Sequence, residues 1–146
     1  LLGLGTDGAA SNNDLNMWEE MDTVAKLHKV FSGDPKVISA QQAFELATIR
    51  GAAALHLEKE IGSLETGKRA DILIIERDSL NQIPLYNIYS DLVYATKGSD
   101  VESVIINGRI VMQDRRLLTL NEAAIKRDAR VFREKIAKSL SIAPEK

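Results

Sequence analysis

Cysteine is absent from this chain of 146 residues. A disulfide framework and a metal site built on thiolates are therefore both excluded. The absence agrees with a cytoplasmic protein, and a cytoplasmic location is our expectation. No apolar run approaches the roughly 20 residues that a membrane-spanning helix needs, so we expect no membrane partner.

The charged residues also lack an excess of one sign. The 19 Lys and Arg residues stand against 21 Asp and Glu residues, and the formal net charge is −2. Because basic and acidic residues alternate, no basic face emerges for nucleic acid, and we expect no nucleic-acid partner. The hydrophobic content of 45% is enough for the core of one ordinary domain.

The first third of the chain is predicted to contain a strand and two helices. Leu1–Asp7 opens with a short unpatterned apolar run, typical of a strand buried on both faces of a parallel sheet. Because this strand lies at the very start, we expect the natural polypeptide to extend upstream. A helix capped by Asn13 or Asp14 should follow. Its apolar face would consist of Met17, Met21, Val24, His28 and Phe31.

The middle of the chain changes from a helical to a strand-like pattern. Ser39 and Gln42 have the spacing of a capping box, and the helix they open is expected to break at Gly51. Residues 70–75 are predicted to form a strand buried on both sides, and residues 92–94 a weaker strand. The order of elements is therefore helical first and β-rich second.

Two signals define the end of the chain. Asn107-Gly108 lies between two β-branched runs, which is a strong short-range signal for a hairpin. A final helix, capped by Asn121, should dock through one apolar stripe. That stripe consists of Ile125, Ala129, Phe132, Ile136 and Leu140.

Two glycine motifs invite a nucleotide-binding interpretation that their context contradicts. Residues 3–8 satisfy G-x-G-x-x-G, but the polar stretch 11–14 postpones the helix that should carry the pyrophosphate, and no return strand follows. Residues 62–68 resemble a phosphate-binding loop, yet Arg69 replaces the hydroxyl residue that would hold magnesium. The second motif also precedes a strand, so a turn is the better interpretation.

Asp7 is the candidate for chemistry. If residues 5–7 end a strand of a parallel barrel, this carboxylate points into the mouth of the active site. It could there bind a divalent metal and accept a proton from the bound water. The alternative is that Asp7 only caps a turn, and composition and spacing leave both interpretations open.

Five stretches of the chain resemble the amidohydrolase superfamily, and together they extend over nearly all of it. Residues 5–13, Gly-Thr-Asp-Gly-Ala-Ala-Ser-Asn-Asn, resemble the loop after the last barrel strand of its 5-methylthioadenosine/S-adenosylhomocysteine deaminase and chlorohydrolase group. Residues 62–71 are similar to the G-x-[IL]-x-x-G-x-x-A-D stretch that enters the family's small β-sandwich. Residues 84–87, 92–95 and 101–111 continue the pattern in order.

The resemblance implies an α/β fold: the C-terminal portion of a metal-dependent (β/α)8 barrel, part of a small β-sandwich and a C-terminal helix. The corresponding segments are 1–58, 59–116 and 117–146. It also implies a zinc-dependent deaminase that acts on 5-methylthioadenosine, S-adenosylhomocysteine or adenosine and releases ammonia. Asp7 would be the catalytic residue, a ligand of one divalent metal, expected to be Zn²⁺, and a substrate contact through proton transfer.

The family's other metal ligands, an H-x-H pair and a later histidine, have no match here. The chain has two histidines: we expect His28 to be a core residue and His56 a surface or packing residue. The fragment alone is therefore expected to be inactive and to need the upstream part of the same enzyme, as a possible homo-oligomer. We expect residues 11–13 to serve as loop and cap residues, and Asp71 to bind backbone N–H groups.

Three functions remain open at this point. A nucleoside deaminase acting on a small-molecule substrate is favoured. A chlorohydrolase or guanine-deaminase type would keep the metal and change the leaving group. A non-catalytic binding module would keep the sandwich and lose the chemistry, although the carboxylate at position 7 argues against it.

Overall fold

The computed structural model describes residues 1–140. Within this range a helical half precedes an antiparallel sheet and a last helix. The helices are α1 (Met17–Ser32), α2 (Ala40–Ala47), α3 (Ile49–Ala54), the short α4 (Ile88–Ser90) and α5 (Glu122–Ser139). The strands are β1 (Ile72–Ile75), β2 (Val101–Ile106), β3 (Arg109–Gln113) and β4 (Arg116–Leu117). None of the helices in the described range is long and apolar enough to cross a membrane.

Helix α1 begins slightly later than its sequence predicts. The N-cap is Asn16, whose side chain accepts a hydrogen bond from the backbone N–H of Trp18, instead of Asn13 or Asp14. Asp14 contributes one step earlier, because its Oδ1 accepts the N–H of Asn16 at 3.2 Å. The helix ends at Gly33, whose φ of 68° places it in the left-handed region that glycine tolerates.

The capping box at the start of α2 is confirmed. The Ser39 hydroxyl accepts the N–H of Gln42, and the Gln42 side chain accepts the N–H of Ser39. The predicted break at Gly51 is wrong, because α2 ends at Ala47 and α3 then runs through Gly51. Glycine is used here for close packing: a Cβ on Gly3 would stand 2.8 Å from the Gly51 Cα atom.

The four strands form one antiparallel sheet in the order β1-β2-β3-β4. The predicted hairpin connects β2 and β3, and Asn107 and Gly108 both have positive φ, at 49° and 76°. This is the combination that a two-residue primed turn requires. Asp71 braces the turn, since its Oδ1 accepts the N–H of Asn107 at 2.6 Å; its expected structural role is confirmed.

The predicted strand over residues 92–94 is wrong. Asp91–Ala95 forms a single π-helical turn, in which the N–H of Thr96 bonds to the carbonyl of Asp91 at 2.9 Å. Val93 points into the core and is 1% exposed. An apolar run of three residues is compatible with a strand or a buried helical turn, and packing against α1 and α2 selects the helical turn here.

The core is small and lies between α1, α2 and the π-helical turn. Its buried members are Met21, Ala25, Ala43 and Val93. The predicted apolar face of α1 is only partly correct, because His28 is exposed and Phe31 is 92% exposed. His28 is thus not the core histidine we expected; α2 and the π-helical turn cover the first turns of α1 and leave its last turn bare.

Within the described residues the strand predicted at Leu1–Asp7 is wrong, whereas β1 forms as predicted and only its predicted burial is wrong. The Leu1–Asp7 segment pairs with no strand there, and its link to the helices is the bond from the Leu4 N–H to the Leu46 carbonyl at 3.0 Å. Strand β1 was expected to be buried on both sides, but Leu73 and Ile74 are about half exposed, at 50% and 46%. A strand is buried only where other elements lie against its faces.

Helix α5 is capped as predicted. The Asn121 side chain accepts the N–H of Ala124 at 3.0 Å. Of its apolar stripe, Phe132 and Ile136 are 62% and 56% exposed, so the docking surface we expected is uncovered in the part of the chain that the structure describes.

Candidate functional site

Asp7 is held in place by the packing of the segment before it. Leu4 packs against the core cluster, and its N–H bonds to the carbonyl of Leu46 in α2. Gly3 lies directly on Gly51 of α3, where any side chain would collide with backbone. Gly3 and Leu4 are therefore fixed to the α2–α3 pair, and Asp7 follows three residues later.

The loop after Asp7 turns back sharply. Asp7 itself has a φ of 58°, in the left-handed region that Asp tolerates better than most residues. The carbonyl of Gly8 then accepts two backbone hydrogen bonds, from Ser11 at 3.0 Å and from Asn12 at 2.9 Å. This turn brings the Ser11 side chain back over the carboxylate of Asp7.

The Asp7 carboxylate is exposed and engaged by one hydroxyl. Ser11 Oγ donates to Asp7 Oδ2 at 2.7 Å. This hydrogen bond, supported by the backbone N–H of Gly8 and opposed only by slight burial, lowers the pKa of Asp7 below its ordinary value. The group is therefore ionised at neutral pH, which is the form that binds a cation or accepts a proton.

A second polar contact fastens the loop to α1. Asn12 Nδ2 donates to Glu20 Oε1 at 2.5 Å, and both side chains are half-buried. The sequence predicts loop and helix-cap roles for residues 11–13, and the contacts of Ser11 and Asn12 go beyond that prediction. The signal that could have revealed the first was the spacing, because a hydroxyl four residues after a carboxylate can return to it across a turn.

Asp7 can supply one ligand to a divalent metal, but it cannot form a complete metal site by itself. Within residues 1–140 no group of three or more His, Cys, Asp or Glu side chains could hold a metal ion. Zinc in a catalytic site needs at least three protein ligands besides its water. His28 and His56 are both exposed, as expected for His56, and neither joins Asp7 in such a group.

An open apolar cavity of about 1210 Å³ lies beside this segment. Gly3, Leu4 and Gly5 form one wall, and Ile72 and Leu73 of β1 form another. Asp7 is not among the residues that line it. The cavity is thus a space between the helical half and the sheet, and the candidate site lies outside it.

Comparison with known proteins shows which family the chain resembles. The model of the "Amidohydrolase family" matches residues 1–111. A 5-methylthioadenosine/S-adenosylhomocysteine deaminase from Syntrophus aciditrophicus is 45% identical over 95% of the chain and 31% of its own length. A 5′-deoxyadenosine deaminase from Methanosarcina acetivorans is 41% identical over 91% of the chain and 30% of its own length.

Solved structures agree with the sequence relatives. An adenosine deaminase from Xanthomonas campestris, crystallised with bound zinc, superposes with a TM-score of 0.90 at 38% identity, over 94% of this chain and 31% of that one. A zinc-bound atrazine chlorohydrolase from Arthrobacter aurescens TC1 gives 0.74 at 23% identity, over 85% and 28%, and shows the fold alone. The chain spans just under a third of the length of these relatives, and it belongs to the amidohydrolase family.

Proposed function

We propose that the enzyme to which this chain contributes is a zinc-dependent amidohydrolase that deaminates an adenosine-type nucleoside, with 5-methylthioadenosine, S-adenosylhomocysteine or adenosine as substrate. The observation that carries the proposal is the identity of 45% across 95% of the chain to a deaminase of that specificity. The zinc-bound adenosine deaminase with a TM-score of 0.90 supports both the metal and the reaction class.

The reaction exchanges one bond on the purine ring for another. Water adds to C6, a C–O bond forms, the C6–N bond breaks, and ammonia leaves with the proton that it needs. When bound, zinc lowers the pKa of a coordinated water toward about 7 and so supplies hydroxide at neutral pH. The family's barrel places such chemistry at the carboxyl ends of its strands, and residues 1–7 precede the loop that would face it.

In this proposal Asp7 has two tasks. Its carboxylate is ionised and exposed, and the backbone that precedes it is anchored by the packing of Gly3 and Leu4. It supplies one ligand to the metal, and it receives a proton from the attacking water and passes it toward the ring or the leaving group. Since one carboxylate cannot hold zinc alone, the other ligands come from the portion of the enzyme that the longer relatives possess and this chain does not span.

The test uses the full-length enzyme loaded with zinc. We expect chelator-sensitive ammonia release from 5-methylthioadenosine, S-adenosylhomocysteine or adenosine, and the substrate with the highest kcat/KM identifies the specificity. Asp7→Asn should lower kcat by about 10²- to 10⁴-fold, the range of one general acid–base residue, and should reduce bound zinc. Asp14→Asn is the matched control, because Asp14 is an exposed carboxylate of the same loop, and it should retain activity.

Other outcomes select the alternatives. Release of chloride from a chlorinated triazine, or of ammonia from guanine but not from adenosine compounds, would favour the chlorohydrolase or guanine-deaminase type. A folded, zinc-loaded enzyme that turns over none of these compounds would contradict the proposal and favour a binding module.

A further inference from the structure

The Asp7 side chain has no packing to orient it. Its residue is exposed and its backbone lies in the left-handed region. An exposed carboxylate on such a backbone samples several rotamers, whereas a metal ligand or proton acceptor must be held close to one productive orientation. Some neighbouring group therefore has to fix the carboxylate.

Ser11 is placed to do this. Its hydroxyl lies 2.7 Å from Asp7 Oδ2 and 3.0 Å from the carbonyl oxygen of Gly8. The hydroxyl has a single proton to donate, and the carboxylate receives it, because the carboxylate is the nearer acceptor and is charged. A carboxylate has two oxygens and about four lone-pair sites. A single hydrogen bond at Oδ2 therefore leaves capacity on both oxygens for a metal and for a proton.

The position of Ser11 is itself secured by α1. Asn12, the next residue, donates from Nδ2 to Glu20 Oε1 at 2.5 Å, and Glu20 lies in the first turn of a helix of 16 residues. The N–H groups of Ser11 and Asn12 both bond to the Gly8 carbonyl. The chain of contacts runs from a rigid helix through Asn12 to Ser11 and on to Asp7.

We propose that Ser11 is a positioning residue that holds Oδ2 of Asp7 and so presents the carboxylate to the metal and the attacking water, with the Asn12–Glu20 hydrogen bond fixing Ser11. This inference rests on the proposed function, because it assigns Ser11 a role at the same site. Outer partners of metal ligands act in this way, and their loss lowers metal affinity or activity by about 10- to 100-fold.

The test compares variants of the full-length enzyme. Ser11→Ala should lower kcat by about 10- to 100-fold while KM changes little, because the substrate does not contact Ser11 in this scheme. Ser11→Thr keeps the hydroxyl at an exposed position and should restore most of the activity. Ser32→Ala is the matched control: Ser32 is an exposed serine whose hydroxyl bonds to the His28 carbonyl at the far end of α1, and its loss should change neither parameter.

A second measurement is independent of turnover. Zinc affinity, measured by competition with a chromogenic chelator, should fall by about 10- to 100-fold in Ser11→Ala and recover in Ser11→Thr. Replacement of zinc by Co²⁺ should show an altered visible absorption spectrum in Ser11→Ala only. If Ser11→Ala does not fold, Ser11→Cys, which keeps the shape with a weaker donor, should show a smaller loss in the same direction.

The outcomes separate this inference from the proposed function. If the wild-type enzyme releases no ammonia, the proposed function fails, and zinc competition still decides the role of Ser11. The inference is overturned if a folded Ser11→Ala enzyme has wild-type kcat and zinc affinity. It is also overturned if Asp7→Asn binds zinc as well as the wild type, since Ser11 would then orient no ligand.

Discussion

Two glycines with almost the same backbone conformation occupy very different surroundings. Gly62 and Gly67 have φ values of +91° and +93°. A Cβ on Gly62 would stand 2.7 Å from the Ala52 Cβ atom and 3.0 Å from the Ile49 Cα atom, whereas nothing lies within 4 Å of one on Gly67. Gly67 must be glycine only because of its positive φ. Gly62 must be glycine for that reason and also because a side chain there would collide with its neighbours.

This difference gives the residue-scale prediction. Gly67→Ala should lower the free energy of unfolding by about 1–2 kcal/mol, the cost of a left-handed L-residue. Gly62→Ala should cost about 1–3 kcal/mol more, because the added methyl group collides with α3. Urea denaturation of both variants measures the difference in the free energy of unfolding. Equal decreases in the two variants would contradict the prediction, because they would show that the loop at residue 62 moves away from α3 at no energetic cost.

Only part of the chemistry at the candidate site can be predicted from the sequence. Asp7 could be singled out because a carboxylate in a glycine-rich loop resembles a known metal ligand, and its role stays a prediction. The contacts of Ser11 and Asn12 could not be foreseen, because they depend on the left-handed turn at Asp7 and on where Glu20 falls relative to the loop. Such contacts depend on the backbone conformation of residues 7–11, which local sequence patterns do not specify.

At the scale of elements, the first turn of α5 combines a cap, a carboxylate and a cation. Asn121 caps the helix, and Glu122 pairs with Lys126 one turn later. The hydrogen bond and the charge of Lys126 lower the pKa of Glu122, and the helix N-terminus favours the same ionised form. Ionised Glu122 therefore contributes to helix stability at neutral pH.

This arrangement predicts how the first turn responds to acid. Because the pKa of Glu122 is lower in the folded state, its contribution is present at neutral pH and disappears as pH falls through the lowered value. Lys126→Met should raise the pKa of Glu122 toward its ordinary value, as followed by the carboxyl ¹³C shift against pH. Lys138→Met, in the last turn of the same helix, is the control and should leave that titration unchanged.

At the scale of the whole molecule, the surface is large for the mass. The accessible area is 10937 Å², whereas a compact monomer of 16.1 kDa would expose about 7,400 Å². Large apolar side chains account for part of the excess, including Leu73 on β1 and Phe132 and Ile136 on α5. Such surface is stabilised when another apolar surface covers it.

We therefore expect the isolated 146-residue chain to self-associate. Sedimentation should show a mass that rises with concentration, together with binding of a hydrophobic dye. Phe132→Ser combined with Ile136→Ser should weaken the association, while Arg133→Ser, an exposed residue of the same helix, should not. A monomer that binds no dye at high concentration would contradict this expectation.

The sequence by itself determined the features whose physical cause lies within a few residues. The capping box at Ser39, the cap at Asn121 and the Asn107-Gly108 hairpin follow from side chains and φ preferences that act locally. Tertiary structure alone decided the π-helical turn at Asp91–Ala95, the exposure of His28 and the half-bare faces of β1. Burial and strand pairing depend on which distant segments arrive beside a residue, and periodicity does not contain that information.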